Sequence, residues 1–382
     1  PVLGAPRLRG FADGGGNVLI DGARPASKGG GLSAALAAIP VDQVARIEVI
    51  RGGGGALGET SGQTVLANII RVKRRGGLAV SAELSRSSHV VRGKASVTVT
   101  RPLGELELVS RTSFDGPGER SHGERATFDL SGRAKARQAL SYAADFPELT
   151  QRLNLSGPAA GGQVSLAAMV ARAALSEGFA FSDAAQAQAF PKRTERWRGE
   201  IGGDWSRPLA AGYGLKLLGL TSITDLDAAS WSEVGARGAA PAITDRFDSR
   251  ATSRETIARA VVARNDASAL RLELGAEIAW NSLSNQSVST RYGPSPSRSP
   301  SAVEVTETRG QTFATLNWRL RPRWTLTAGA AYEASRIRAG THGDRQFGFF
   351  KPSLTATYRP DERNTLRLSA KRSVGQLAFG DF

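Results

Sequence analysis

The chain has 382 residues, with 44 Gly, 17 Pro, three His and no Cys. The lack of Cys excludes disulfides, thiolate metal sites and cysteine nucleophiles. A content of 40% hydrophobic and 22% charged residues is too apolar for a disordered chain. The formal net charge is +15, but the arginines are scattered singly, so the clustered basic and aromatic stripe of a nucleic-acid-binding protein is missing. No apolar run approaches the ~18 residues of a membrane-spanning helix, whereas a membrane β-barrel is not excluded, because its alternating strands barely register on hydropathy scales.

Residues 1–75 predict a small α/β unit. Strands are predicted at 17–21, 43–51 and 64–72, and a short helix at 33–39 with Ser33 as its N-cap and Pro40 after its end. Asp21 and Gly22 form a turn pair after the first strand. The sequence is rich in Gly with short apolar runs before Arg75, and it alternates apolar and polar residues over long stretches after it. This change predicts a boundary between a domain at 1–75 and another at 76–382.

A glycine motif follows the second predicted strand. Residues 53–58 fit G-x-G-x-x-G, which in a dinucleotide site opens a helix whose N-terminus holds the pyrophosphate. The sequence continues instead through Gly62 into the β-branched segment 64–72, so no helix is predicted there. We therefore predict no dinucleotide site. No catalytic residue, metal site or cofactor is predicted elsewhere, since the three His residues are far apart and no other catalytic motif is present.

Residues 76–382 alternate apolar and polar side chains over long stretches. The clearest case is 270–281, where the even positions, from Leu270 to Trp280, are apolar and the odd positions are mostly polar. Alternation over a dozen positions predicts a half-buried strand longer than the ~5–6 residues usual in soluble sheets. Roughly thirteen such strands are predicted between residues 77 and 375.

The connections between these strands fall into two classes. Short turns are predicted at 101–102, 157–158, 207–208, 265–266, 321–322 and 359–360, and long polar loops at 115–146, 177–193, 228–250, 282–305 and 338–345. Short turns that alternate with long loops place all the short ones at one end of an up-and-down sheet. This asymmetry and the tall strands are typical of outer-membrane barrels.

Aromatic residues flank several of the short turns. They are Trp205, Tyr213, Trp318, Trp324 and Tyr358. On the apolar face, at the short-turn end, they predict an aromatic girdle at the membrane interface. Aromatics that cap the core of a soluble β-sandwich are the alternative interpretation.

The small N-terminal unit resembles the plug domain of TonB-dependent outer-membrane receptors. The segments that carry the resemblance are VLIDG at 18–22, LAAIP at 36–40, VARIEVIRG at 44–52 and VLANIIR at 65–71. The motif residues are Asp21, Gly22, Pro40, Arg46, Glu48, Arg51, Gly52 and Asn68. Two positions depart from the family pattern: Gly53 replaces the usual Pro, and residues 65–68 replace the usual Gly-Val-Ile-Asn. The resemblance implies a mainly β fold, with a membrane-spanning antiparallel up-and-down β-barrel, incomplete here, and a small α/β plug.

The resemblance also implies a function. Such receptors import scarce large solutes, such as siderophore-type iron complexes, haem, cobalamin or glycans, across the outer membrane of Gram-negative bacteria, and they are not enzymes. The energy comes from the TonB complex, which pulls on a segment before the plug. The sequence from Pro1 contains neither this segment nor a signal peptide, so we expect the chain to be a fragment of such a receptor that lacks both ends. In this family, arginines of the plug pair with glutamates of the barrel wall and help to lock the plug in place. Arg46 and Arg51 are the candidates for this role here, and Glu48 is expected to be structural. The phase of the strands suggests Glu200, Glu273 and Glu277 as their partners.

Other partners follow from the same resemblance. We expect a monomer in contact with the lipid bilayer and lipopolysaccharide, with an unknown large solute and with no nucleic acid. The positive net charge fits either an anionic solute or contacts between arginines and lipopolysaccharide. Two alternatives remain open: another porin-like outer-membrane barrel, and a soluble basic β-rich binding protein.

Overall fold

The computed structural model describes residues 18–20, 39, 44–51, 65–72, 76–87, 90–236, 239–264, 269–340, 343–361 and 364–374. The predicted helix at 33–39, apart from residue 39, and the glycine motif at 53–58 lie outside these residues. None of the helical residues in the described ranges forms a segment with the length and apolar character that a membrane crossing requires.

The N-terminal region contains a small sheet of three strands. They are β1 (Val18–Ile20), β2 (Val44–Arg51) and β3 (Val65–Arg71), which confirms the three strands predicted there. The strand order is β1-β3-β2, with β1 parallel and β2 antiparallel to β3. Leu19, the middle residue of β1, is buried, as is Asn68 of β3.

The described strands from Gly77 to Lys371 form one large antiparallel sheet. Its strands are β4 (Gly77–Ser87), β5 (Val90–Leu103), β6 (Leu106–Gly116), β7 (Gly118–Phe128), β8 (Ala134–Asp145), β9 (Glu148–Ala159), β10 (Gly162–Ser182), β11 (Gln186–Pro208), β12 (Tyr213–Ala236), β13 (Ala242–Arg264), β14 (Leu270–Arg291), β15 (Ser297–Arg321), β16 (Trp324–Ala339), β17 (Asp344–Tyr358) and β18 (Leu366–Lys371). Strands that follow one another in the chain are paired from β4 to β6 and from β9 to β18, while β6 pairs with β9 and β8 pairs with β7 and β10; β4 and β18 form the two ends of the order.

Strands β6 and β7 lie end to end in one row of the sheet, and β8 and β9 lie end to end in the neighbouring row. A proline interrupts each row. Strand β6 pairs with β9, and β7, which follows Pro117, pairs with β8, which precedes Pro147. Proline has no N–H to donate to the sheet, so each ladder breaks at that residue. The chain remains aligned across both breaks, since Phe146 N donates to Pro117 O at 2.9 Å and Ala174 N donates to Pro147 O at 3.0 Å. The fifteen strands therefore lie in thirteen rows, where the sequence predicts roughly thirteen strands.

The predicted long polar loops are mostly strand, so that prediction was wrong. The pairing of β14 with β15 continues to Arg291 and Ser297, and it includes Pro300 opposite Val288. The segment 115–146 contains most of the β7–β8 hairpin. Ser, Pro and charged residues replace the alternating apolar positions in these segments, while the backbone pairing persists. The described short connections are turns, such as the two-residue link after β5, where Gly104 has φ +66. The predicted turn at 157–158 instead lies inside β9, and the chain turns at 160–161, while 265–266 lies outside the described residues.

The β7–β8 turn shows how one such projecting hairpin closes. The carboxylate of Asp129 accepts hydrogen bonds from the Ser131 hydroxyl at 2.6 Å, and from the backbone N–H groups of Ser131 and Arg133 at 2.9 Å each. The Ser131 hydroxyl bond and then the Arg133 backbone bond lower the pKa of Asp129. The turn is therefore held by an ionised carboxylate at neutral pH.

Candidate functional site

The large sheet has one apolar face that is exposed and one polar face that is covered. On β14, Ile278 and Trp280 are 39% and 46% exposed, while Glu277, which precedes Ile278, is only 8% exposed and Ala279 between the two is fully buried. The same arrangement recurs on β16, where Tyr332 is exposed and Glu333 is buried. This distribution is the reverse of a soluble sheet, which buries its apolar face. It is the distribution of a membrane barrel wall with lipid outside and a polar lumen.

Two rows of aromatic side chains lie on the apolar face. The row at the short-turn end contains the predicted Trp205, Tyr213, Trp318, Trp324 and Tyr358, and the rings of Trp324 and Tyr358 stack with centroids 4.5 Å apart. A second row, which the sequence analysis missed, consists of Trp197, Tyr332 and Phe350. Each lies eight positions from an aromatic of the first row on its own strand, about 27 Å along the strand at ~3.3–3.4 Å per residue. With a strand tilt of ~35–45°, the two rows lie about 19–22 Å apart along the membrane normal, slightly less than the ~25 Å height of the apolar band of outer-membrane barrels.

A network of buried ion pairs lies on the polar face of β13 to β17. The Arg309 guanidinium is 2.7 Å from a carboxylate oxygen of Glu277 and 3.7 Å from one of Glu333. Lys351 also reaches Glu333, with Nζ 2.9 Å from the carboxylate, and Arg259 lies 3.8 Å from Glu277. Glu333 and Arg309 are 1% and 3% exposed. The network links five neighbouring strands through their side chains.

A glycine opposite an aromatic ring adjoins this network. Gly275 and Phe313 are directly paired on β14 and β15. A Cβ at Gly275 would lie 2.2 Å from Phe313 Cζ, so the ring occupies the space that any other side chain needs. The Arg259 guanidinium lies over the same ring, 4.5 Å from its centroid, and forms a cation–π contact.

The three barrel glutamates proposed as partners of the plug arginines all lie on the polar face. The described partners of Glu277 are Arg309 and Arg259 of the large sheet itself. Glu200 is buried beside Met169, and its charge acts on Arg152 of β9. Glu273 is paired in register with Ala263 and Thr315.

The plug motif residues are described only in part. Arg46 bonds to Glu48 of its own strand at 2.8 Å, and Asn68 Nδ2 donates to Glu48 at 3.3 Å. Arg46 is largely exposed, and the described contact does not join it to a barrel glutamate. The Arg51 side chain, and Asp21, Gly22, Pro40 and Gly52, lie outside the described residues. The proposed locking roles of Arg46 and Arg51 therefore stay predictions.

Among the described residues, an ion pair joins the small sheet to the large one. Arg71, the last residue of β3, donates from Nη1 to a carboxylate oxygen of Glu107 on β6 at 3.2 Å, and both side chains are about three-quarters buried. The sequence analysis did not propose either residue as a contact between the domains. Glu107 lies on the same face of β6 as Val109 and Arg111, and the β9 residues paired with these three positions, Ser156, Asn154 and Arg152, are all polar.

The described residues contain no group of three or more His, Asp or Glu side chains placed to hold a metal ion. The polar groups of this face instead form ion pairs and hydrogen bonds with one another. The arrangement offers charged and polar surface to a solute.

Two family models match the chain. The model described as TonB-dependent receptor plug domain matches residues 2–63. The model described as TonB dependent receptor-like, beta-barrel matches residues 111–380, which is more than half of the chain. A search of curated proteins finds no match.

Solved structures share the fold at low sequence identity. The siderophore receptor PiuA from Acinetobacter baumannii is 11% identical, with a TM-score of 0.53 over 92% of this chain and 56% of that one. The structure of the FpvAI–pyocin S2 complex is 12% identical, with a TM-score of 0.52 over 92% of this chain and 48% of that one. The chain thus spans about half the length of these two.

Proposed function

This chain belongs to the TonB-dependent receptor family, and we propose that it works in the active uptake of a scarce large solute across the outer membrane of a Gram-negative bacterium. The solute is of the siderophore-type iron complex, haem, cobalamin or glycan class. The chain transports its solute and does not convert it chemically.

The observation that carries this proposal is the two-faced sheet with a second sheet attached to its polar face. The apolar face carries two aromatic rows at a spacing that fits a bilayer. The polar face carries Glu107, which holds Arg71 of the small sheet. A simple porin needs no such attached domain, so this contact favours a gated receptor over a porin-like barrel. The exposed apolar band argues against a soluble β-rich binding protein.

The proposed partners follow from this function. The TonB complex supplies energy through a segment that precedes the plug, and the bilayer and lipopolysaccharide surround the apolar face. The protein works as a monomer and binds no nucleic acid. In the plug, Arg46 and Arg51 are proposed to help lock it against barrel glutamates.

Uptake in whole cells tests the proposal. The full gene is deleted and then restored, and growth is measured on a panel of iron complexes, haem, cobalamin and glycans as limiting nutrients. We expect one nutrient to depend on the gene, and this dependence to disappear when tonB is deleted or the proton gradient is collapsed. Uptake that survives both treatments would instead assign the protein to passive, porin-like diffusion.

A further inference from the structure

Three arginines lie close together at the short-turn end of β15, β16 and β17. Arg321 is paired in register with Trp324 across the β15–β16 turn, and Arg323 is the second residue of that turn. The backbone N–H of Arg359 donates to the carbonyl of Arg323 at 2.8 Å, so these two arginines are neighbours on adjacent strands. We call Arg321, Arg323 and Arg359 the turn arginines.

The turn arginines have no acidic partner among the described residues. All three are exposed, and none of them has a described ion pair or side-chain hydrogen bond. Asp361 follows Arg359 by two positions, but its carboxylate accepts from Asn364, from the backbone N–H at 2.7 Å and from the side chain at 2.8 Å. Like charges directly opposite each other are unfavourable in a sheet, and an anion bound between Arg323 and Arg359 would offset their repulsion.

Arginines at the projecting end of the same face are arranged differently. Arg336 and Arg338 of β16 both contact Asp344 of β17. Arg250 of β13 lies 2.9 Å from Asp227 of β12. These arginines beyond the second aromatic row thus have carboxylate partners within the sheet, whereas the turn arginines at the other end of the apolar band do not.

Aromatic side chains place the turn arginines at the level of lipid headgroups. The rings of Trp324 and Tyr358 stack with centroids 4.5 Å apart, and Arg323 and Arg359 are their immediate neighbours in sequence. Trp and Tyr prefer the boundary between the hydrocarbon and the headgroups of a bilayer. Long basic side chains next to this boundary extend their charged ends toward the headgroups. The anions at this level of a membrane are lipid phosphates.

A second short turn has the same arrangement. Arg207 lies two positions after Trp205 on β11, so both residues lie on the same face of the strand. Arg207 is exposed and also has no described side-chain partner. An arginine without a carboxylate beside an aromatic residue of the first row is therefore not confined to one turn.

We propose that the turn arginines bind the phosphate of an anionic phospholipid of the phosphatidylglycerol type. The inference rests on the proposed function, which places the barrel in an outer membrane with its short turns on the periplasmic side. A guanidinium group binds a phosphate through two parallel N–H donors, and the stacked rings offer an apolar surface to the adjacent acyl chain. A zwitterionic phospholipid fits less well, because its amine adds a fourth cation to the three arginines.

Tryptophan quenching in detergent micelles tests the site with two matched lipids. The purified full gene product is titrated with phosphatidylglycerol or phosphatidylcholine, both with brominated acyl chains that quench tryptophan on contact. We expect phosphatidylglycerol to bind about tenfold more tightly or better. The R321Q/R323Q/R359Q variant should lower its affinity to that of phosphatidylcholine, which should not change. The R246Q/R250Q/R336Q control removes the same charge at the projecting end and should keep the preference.

Three results would overturn the proposal. They are equal affinities for the two lipids, a preference that survives in R321Q/R323Q/R359Q, and an equal loss of preference in the control variant. If R321Q/R323Q/R359Q fails to fold, R321K/R323K/R359K should retain a preference, because lysine keeps the charge. Added salt should also weaken phosphatidylglycerol binding to the unmodified protein, and a preference insensitive to salt would contradict the proposal. Lipid binding in micelles needs neither TonB nor a transported solute, so its failure and the failure of the uptake test are distinguishable.

Discussion

At the scale of single residues, the ion network at Arg309 is the most sensitive to substitution. Arg309→Leu leaves the carboxylates of Glu277 and Glu333 with one fewer cation in a buried setting. Removal of one member of a buried pair typically lowers the free energy of unfolding by ~3–5 kcal/mol. We expect a loss of this size in urea unfolding of the protein in lipid vesicles, followed by tryptophan fluorescence.

The matched control is Arg246→Leu, which breaks an exposed pair with Asp248 on the other face. Exposed pairs contribute ~0–1 kcal/mol, so this substitution should change little. Equal losses for the two variants would show that the network at Arg309 is not a special source of stability.

A second prediction concerns the close contact between Gly275 and Phe313. Gly275→Ala puts a methyl group where the ring lies, 2.2 Å from Cζ. Overpacking of this kind destabilises by ~1–3 kcal/mol, and the same unfolding experiment should detect it. Gly310→Ala on the adjacent strand meets nothing within 4 Å and serves as the control. Gly275→Ala combined with Phe313→Leu should recover most of the loss, and an absence of recovery would contradict the steric explanation.

The sequence predicts the face on which these residues lie but not their partners. The alternation along 270–281 correctly placed Glu277 and Glu273 on the polar face. Whether Glu277 bonds to a plug arginine or to a neighbouring strand depends on the register of β13, β14 and β15, and alternation within one strand contains no register information. The Arg309 and Arg259 contacts of Glu277 could therefore be found only from the structure.

At the scale of strands, the sequence predicts the parts that face the apolar band and misses the parts that project beyond it. The strand 270–281 was recognised because lipid on one face and polar lumen on the other enforce alternation. Because Ser and Pro dominate the segment 282–305, the sequence predicts a loop there, yet its backbone pairs as far as Arg291 and Ser297. The second aromatic row was detectable in principle, since Trp197 and Trp205 are eight positions apart.

A charged residue placed within the apolar band tests whether the two aromatic rows mark the edges of that band. Ala328 lies on the apolar face of β16, midway between Trp324 and Tyr332. Ala328→Arg should lower the free energy of unfolding in lipid vesicles by ~2–4 kcal/mol, the range for Arg at a bilayer midplane. Ala334→Arg lies beyond the second row, next to the native Arg336, and should lower it by ~0–1 kcal/mol. If both substitutions have the same effect, the two aromatic rows do not mark the edges of the bilayer.

At the scale of the whole molecule, the plug motifs in the sequence indicate the family, but they do not predict the contact that joins the two domains. Short motifs such as VARIEVIRG identify a domain because backbone turns and core positions require particular residues. Arg71 lies in the matched segment VLANIIR, but its partner Glu107 is one of many polar-phase glutamates. Contacts between distant segments depend on how the domains dock, which local patterns do not encode.

Exchange of the Arg71 and Glu107 charges tests whether this contact holds the plug in place. Arg71→Glu and Glu107→Arg each put like charges together at a partly buried interface, which is unfavourable. A rise of about 1.4 kcal/mol in the free energy of the docked plug increases the undocked population tenfold. Cells with either single variant should become more sensitive to large antibiotics such as vancomycin, which the intact outer membrane excludes.

The double variant R71E/E107R restores opposite charges and should restore resistance. Heat-dependent gel migration confirms that each variant is folded and present at equal amounts. A double variant as leaky as either single one would mean that the two residues act separately, and that other plug contacts, Arg46 and Arg51 included, carry the docking. Recovery in the double variant would instead make this ion pair part of the gate through which a solute must pass.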